Sequence, residues 1–374
     1  MGLDVRPVQS RRDLSRFVDL PFRLYRDDPA WVPPLRLERR IFLSRRGNPF
    51  FEHGEARYFL AWREGRPVGR VSAHVDHAFN AHQDNRWGMF GFFESEEDPE
   101  AAGALLAAAE GWLRARGRDR VVGPMDFQMN DESGILVEGH GLRPMVRQPY
   151  HPPHYAALVE GAGYRKAIDL LMWSLEVSDR SKVLPVIWEL ADRVGPDHGV
   201  TLRHMRKRDA KAEMRRFSEV YHAAWHENWG FVPYTEAELD NLALEFRLFF
   251  DEDWTWIAER DGEVIGAAVT VPDVNQRLTR MNGRLLPLGW LRYLRDKGRM
   301  DRVRVGFLGV KPEHQHTGVA AAFYREHFDM AARKPQTGGE MGWILETNVA
   351  MNKAMEAMGG RVVKRYRIYE RELD

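Results

Sequence analysis

The chain passes twice through one order of elements: strand, helix, hairpin, strand, helix, strand, helix, strand. In the first pass, residues 3–8 alternate like a short strand, and 12–25 have helical spacing with Leu14, Phe17, Val18, Phe22 and Tyr25 on one face. Trp31-Val32-Pro33-Pro34 is a rigid extended break. Strands at 58–63 and 68–75 flank Glu64-Gly65-Arg66-Pro67, a hairpin signal, and 87–94 is a further strand. An Ala-rich helix over 99–116 opens at Asp98 and Pro99 and closes at Gly117. Strand 120–123, helix 154–160 and a long apolar strand at 167–177 complete the pass.

A charged, helix-like stretch at 179–194 and Gly195-Pro196-Asp197-His198-Gly199 separate it from the second pass. That pass has strand 200–205, helices 209–226 and 236–250, a hairpin of 254–259 and 264–271, strand 303–310, helix 318–333, strand 343–346, helix 348–358 and strand 362–370. A repeat this long is a duplication and not a solenoid. The expected architecture is α/β with mixed α+β character, with domains at 1–178 and 200–374 and a linker at 179–199.

Within the second pass, one junction carries chemistry. The apolar strand ending at Val310 meets a short polar loop, 313–317, and Gly318 opens a helix with Val319, Ala322, Phe323 and Met330 at helical spacing. A strand, a tight loop and a helix start leave several backbone N–H groups without intrahelical partners, and the helix dipole adds partial positive charge there. Such a place suits phosphate, and a glycine lets the backbone approach closely. Neither Gly-Lys-Ser/Thr nor Gly-x-Gly-x-x-Gly is present, so both common nucleotide motifs are excluded.

Composition excludes several other chemistries. Lys+Arg and Asp+Glu are both 55, which argues against nucleic-acid binding through overall basicity. The chain has no cysteine, so thiol catalysis, disulfides and Cys-ligated metals are out. His222 and His226 have the spacing of a metal pair, but Ala223 stands where His-Glu-x-x-His needs glutamate, and no metal is expected. No apolar run is long enough to span a membrane. Asp4, Arg6, Arg11, Arg12 and Asp13 leave no signal-peptide core, so a cytoplasmic location is expected.

Gln315, Gly318 and Ala320 fall on the three defined positions of the Gln/Arg-x-x-Gly-x-Gly/Ala signature, and the stretch resembles the GCN5-related N-acetyltransferase (GNAT) superfamily. Asn348 followed by Gly359-Gly360 is similar to the family's downstream Asn…Gly-Phe element, and Tyr155 with Gly163-Tyr164 echoes it faintly in the first half. Gly342-Trp343-Ile344-Leu345-Glu346-Thr347-Asn348 and Lys364-Arg365-Tyr366-Arg367-Ile368-Tyr369-Glu370 resemble a tandem group that includes the bacterial ceramide synthases. The resemblance implies two tandem GNAT-like domains, each a mixed, largely antiparallel sheet flanked by helices. It implies acetyl-CoA or a longer acyl-CoA as co-substrate and direct attack by a primary amine, either a small molecule or a lipid. Pantetheine would lie along Leu308, Gly309 and Val310, and the diphosphate on the backbone of Gln315, His316, Thr317, Gly318, Val319 and Ala320, with Asn352 as a further contact.

Two departures follow. The first-half loop Ser95-Glu96-Glu97-Asp98-Pro99-Glu100 is acidic where the second half has Lys311 and His316, so the first half is expected to lack a cofactor site. The family's tyrosine acid falls on Met355, which leaves the leaving thiolate without its usual proton donor. The catalytic candidates are Glu346, as base or as a carboxylate at a helix start, Asn348, as helix cap or substrate ligand, and Tyr366, as replacement acid or core residue. His222, His226 and Trp229 are candidates for the acceptor pocket, as is Trp290. Trp290 lies in 285–297, an apolar then cationic stretch that reads either as a peripheral membrane contact and acyl-chain cover or as a packed helix. A long-chain, sphingoid-type acceptor and a non-catalytic acyl-CoA-binding module are the alternative readings.

Overall fold

The structure, a computed structural model, describes residues 2–374 except 286 and 288; the side chains at 292, 294, 296 and 297 also lie outside the description. In chain order the elements of the first half are β1 (Asp4–Pro7), α1 (Arg11–Leu24), α2 (Arg36–Phe42), β2 (Gly54–Arg63), β3 (Arg66–Asp76), α3 (His77–Gln83), β4 (Trp87–Ser95), α4 (Pro99–Arg114), β5 (Arg120–Gly123), β6 (Ile135–Glu138), α5 (His154–Gly161) and β7 (Arg165–Glu176). The second half continues with α6 (Pro185–His198), β8 (Val200–His204), α7 (Ala210–Trp225), α8 (Glu236–Phe249), β9 (Thr255–Arg260), β10 (Glu263–Pro272), α9 (Asn275–Leu278) and α10 (Gly289–Asp296). It closes with β11 (Arg302–Val310), α11 (Val319–Ala331), β12 (Gly338–Leu345), α12 (Val349–Ala357) and β13 (Arg361–Glu372).

Two compact units emerge, and they do not follow each other end to end along the chain. One comprises Met1–Leu170, Asn275–Leu294 and Lys364–Asp374; the other comprises Leu171–Val274 and Arg295–Val363. Sequence alone suggested a linear division at 178 and 200. The observed grouping differs because strand pairing is non-local: β13 pairs antiparallel with β5 through Tyr369↔Gly123 to Glu372↔Arg120, and with β6.

In the first unit, β1, β2, β3 and β4 pair antiparallel in sequence order, and β5 then joins β4 parallel. Helix α1 starts with a capping box between Ser10 and Asp13 and buries Phe17, Val18 and Leu20. Helix α4 starts at Asp98, whose carboxylate accepts the Ala101 N–H at 3.1 Å, and buries Ala101, Ala102, Leu105, Leu106, Ala109 and Leu113.

The second unit repeats the scheme. β8, β9, β10 and β11 pair antiparallel, and β12 joins β11 parallel. The later part of β7 flanks β12. Alternation along the strands divides the side chains between two cores. Trp256, Ala258, Ile265, Ala268, Val303, Leu308 and Val310 pack with α6, α11 and α12, whereas Ile257, Ala267 and Phe307 pack with α7 and α8. Among the described residues, no helix is long and apolar enough to cross a membrane.

Candidate functional site

The site begins where β11 parts from β12. Parallel pairing runs from Arg302↔Gly338 to Val305↔Met341 and stops there, while β11 stays paired with β10 up to Val310↔Gly266. A register shift between Val269 and Thr270 skips Gly306, which bends the strand at the point of parting. Just before it, an Arg304 guanidinium N–H donates to the Gly342 carbonyl at 3.2 Å and ties the two strands together. Beyond it, Phe307, Leu308, Gly309 and Val310 are buried yet have no strand partner on the β12 side among the described pairings. Buried main-chain groups need partners, so such an edge accommodates an extended ligand that bonds like a strand.

A 3-10 turn, Pro312–Thr317, leads from this edge to α11. Gly318 is the N-cap of α11 at φ 81°, and no side chain caps the helix. The first-turn N–H groups at Val319, Ala320 and Ala321 therefore lack both intrahelical and side-chain acceptors. Thr317 is buried, and its hydroxyl donates to the His314 carbonyl at 2.6 Å; Gln315 donates from its amide to the Val310 carbonyl at 3.4 Å. His316 is exposed, its ring 6.2 Å from that of His198 at the end of α6. Lys311, offered on sequence as a phosphate-facing cation, instead pairs with Glu263 at 2.7 Å. Glu263, Glu313 and His314 bring ligand atoms within 4.8 Å of one another, but Glu263 is held by that lysine. Gly318 has a second reason to be glycine. A Cβ there would lie 3.1 Å from the Leu190 carbonyl oxygen and 3.3 Å from a Val194 methyl, so α6 packs directly on it.

At the far end of β12, Glu346 is half-buried and its carbonyl lies 3.5 Å from the Asn352 amide nitrogen. Asn348 caps α12 by accepting the Met351 N–H at 3.1 Å, so of its two sequence readings the capping bond is present. Asn352 donates to the Leu345 carbonyl at 3.1 Å and accepts the Trp173 indole N–H at 2.9 Å, joining α12, β12 and β7. Trp173 was not singled out on sequence; its signal is an indole N–H in an apolar strand, which needs an acceptor. Met355 is fully buried in the core and has no proton to give. Tyr324 on α11 sets its hydroxyl 3.6 Å from the Met351 sulfur, and burial holds its phenol pKa above the usual value.

The opposite face of β11 meets α7. Phe307 lies 4.7 Å from Phe217 and 4.8 Å from Trp225, ring to ring, forming an aromatic wall on the sheet. His222 and His226 sit on the exposed side of α7 with near-parallel rings 6.3 Å apart, and His222 lies 5.6 Å from Phe231. Trp229, half-buried, follows in the same unit.

Two proposed site residues belong to the other unit. Tyr366 is fully buried there; its hydroxyl donates to the Pro149 carbonyl at 3.2 Å, because this part of β13 is paired with β6. Trp290 also belongs to the first unit, half exposed, with its indole N–H donating to the Pro287 carbonyl at 3.0 Å. Of the stretch 285–297, residues 286 and 288 lie outside the described residues.

In the first unit the equivalent parting is filled by the chain itself. Pairing of β4 with β5 ends at Met89↔Val122. The Met125 N–H then donates to the Phe90 carbonyl at 2.8 Å, the Phe92 N–H donates to Asp126 at 2.8 Å, and a Cβ at Gly91 would fall 1.9 Å from the Met125 carbonyl oxygen. The acidic loop is not a set of bare charges: Glu96 pairs with Arg23 and Arg66, and Arg63 takes Asp98 and Glu100 at 2.7 Å each. The telling contrast with the second unit is that Asp98 occupies the start of α4, whereas the start of α11 has no side-chain occupant.

No family model matches the chain. The chain is 38% identical over 379 residues to the protein named Bacterial ceramide synthase of Caulobacter vibrioides (strain NA1000 / CB15N), spanning 99% of this chain and 98% of that one. It is 35% identical over 376 residues to Protein YghO of Escherichia coli (strain K12), spanning 99% and 95%. Among solved structures, a tandem GNAT protein from the clavulanic acid biosynthesis pathway covers 100% of this chain and 99% of its own at TM-score 0.59 and 14% identity. A GCN5-related N-acetyltransferase from Sphaerobacter thermophilus covers 99% and 96% at TM-score 0.56 and 13% identity; at such identities the likeness is one of fold. End-to-end similarity to the two relatives shows that the chain belongs to the family of bacterial ceramide synthase and YghO, and its duplicated fold is the one seen in a tandem GNAT protein.

Proposed function

We propose that the chain is an acyl-CoA-dependent N-acyltransferase whose second unit alone holds the acyl-CoA. The observation that carries this reading is the uncapped start of α11 at Gly318, directly after a strand edge that has lost its neighbour. Such an edge suits the amide-bearing pantetheine arm, and the open N–H groups of Val319, Ala320 and Ala321 suit a diphosphate. The filled parting and the Asp98 cap in the first unit support a single cofactor site. In the reaction the amine nitrogen bonds to the thioester carbon, the C–S bond breaks, the amine gives up a proton and the thiolate takes one.

A long-chain, sphingoid-type amine is the acceptor we favour over a small one. The support is the name of the Caulobacter relative, since a ceramide is an N-acylated sphingoid base, together with the aromatic wall of Phe217, Trp225 and Phe307. Glu346 is the base we assign, half-buried beside the start of α12, and Asn348 and Asn352 hold the junction that fixes it.

Calorimetric titration of CoA into the wild type and Gly318→Val tests the site. A branched side chain at φ 81° meets both backbone strain and the Leu190 carbonyl, so binding is expected to fall at least about tenfold. Circular dichroism must show that the variant is folded at the assay temperature. A folded Gly318→Val protein that binds CoA like the wild type overturns the assignment.

A further inference from the structure

The first unit gathers three segments that the proposed reaction does not use. The start of α2 is tied to the turn before α10: the Arg36 N–H donates to the Gly283 carbonyl at 3.2 Å, and the Arg36 guanidinium donates to the Asn282 carbonyl at 2.8 Å. The Asn275 amide on α9 donates to the Pro144 carbonyl at 3.0 Å, which adds the loop 139–147. Among the described residues, the large apolar side chains that stand exposed in this unit are Leu37, Ile41, Leu142, Trp290 and Leu291, each between 43% and 55% exposed. All five fall on these three segments. A lone exposed leucine is ordinary; a unit that confines its exposed large apolar side chains to segments bonded to one another has a patch.

The same segments are basic. Residues 36–47 contain five arginines and one carboxylate, Glu38, and residues 275–294 contain four arginines and no carboxylate. Carboxylates take two of these arginines: Asp19 pairs with Arg36 at 2.7 Å, and Glu38 and Glu132 pair with Arg39 at 2.7 and 3.3 Å. Arg40, Arg45, Arg46, Arg280 and Arg284 are exposed and have no carboxylate partner among the described residues. Asp27 and Glu52, exposed on the flanking chain, pair with none of them. Leu37, Arg40 and Ile41 stand at i, i+3 and i+4 of α2, so charge and apolar surface share one side of that helix. With Lys+Arg and Asp+Glu both 55 over the whole chain, this positive excess is local.

Unpaired guanidinium groups beside exposed leucine, isoleucine and tryptophan match the boundary of an anionic bilayer. There arginines stay with the phosphates, apolar side chains enter the acyl region and tryptophan sits at the level of the headgroups. A nucleic acid satisfies the arginines but gives Leu37, Ile41 and Leu291 nothing to bury against. A second copy of this face would set arginine against arginine. We propose that the face formed by α2, the turn at 280–284 and the start of α10 is a docking surface for an anionic membrane. The surface lies wholly within the first unit and stands whether or not the acyl-transfer reading does, because vesicle binding needs no turnover.

The test is co-sedimentation of the full chain with phosphatidylcholine vesicles, with and without a third of phosphatidylglycerol. Wild type is expected to bind the anionic vesicles and to lose them as salt rises. Arg40→Glu/Arg46→Glu and Leu37→Ser/Ile41→Ser are each expected to weaken binding about tenfold or more. Arg206→Glu/Arg208→Glu makes the same charge change in the second unit and is expected to bind like wild type. All six positions are exposed, and an unchanged thermal midpoint shows that the variants fold. Equal binding of wild type to neutral and anionic vesicles overturns the proposal. So does a Leu37→Ser/Ile41→Ser protein that binds as tightly as wild type, or an equal loss in the second-unit variant. A DNA duplex bound more tightly than the anionic vesicles identifies a nucleic-acid partner and overturns it too.

Discussion

At Asn348 the amide oxygen caps α12. Asn348→Ala is expected to cost about 1 kcal/mol of stability, and Asn348→Asp to restore nearly all of it, measured by denaturant unfolding. An alanine variant as stable as wild type shows that the cap contributes nothing. His327 gives a second prediction. Its Nδ1–H donates to the Phe323 carbonyl at 2.7 Å, and its Nε2 faces the Thr270 hydroxyl at 2.7 Å. Burial lowers its pKa to about 4. The folded value lies below the unfolded one, so this stability is complete above pH ~6.5 and is lost as pH falls through the folded value. Buried Glu94, raised by desolvation, acts in the opposite sense, so the total pH profile mixes both. Comparing wild type with His327→Gln isolates the histidine: the variant should lose less stability than wild type between pH ~6.5 and ~4, by up to about 3 kcal/mol. Parallel pH profiles contradict this. Neither role was legible as a single answer in the sequence. Asn348 suited both cap and ligand, and the partners of His327 on β10 and α11 are set by packing, not by spacing along the chain.

At the scale of elements, sequence periodicity captured what was long and regular. The helix read at 99–116 is observed as Pro99–Arg114, and the strand read at 303–310 as Arg302–Val310. The short α2, α3, α9 and β6 escaped, since four to seven residues carry too little periodicity and form because neighbours hold them. Helix α6 was displaced for a different reason. Gly195-Pro196 reads as a break, yet the helix runs on to His198 and ends at Gly199 with φ 64°. Pro196 forgoes its own bond to the Asp192 carbonyl, and only Asp197 and His198 follow it in the helix. That extension matters to the site, because Leu190 and Val194 of this helix are what close over Gly318. The acidic loop at 95–100 shows the reverse error: a local charge count could not see Arg23, Arg63 and Arg66 arriving from other elements.

Across the whole molecule, the duplication legible in element order reappears in strand pairing. Each unit has four antiparallel strands followed by a parallel fifth, with a parting between the fourth and fifth. What element order could not reveal is that β13 completes the first unit and that one parting is plugged by its own chain. The plug and the open start of α11 together make the second unit the proposed seat of acyl transfer. The most direct measurement is thiol release from acyl-CoA of increasing chain length, with the full chain and a panel of amines that includes a sphingoid base. Release is expected to depend on the long-chain amine and to be faster with long acyl-CoA than with acetyl-CoA. A preference for acetyl-CoA and short amines would contradict the lipid acceptor, and no release with any amine would contradict acyl transfer itself.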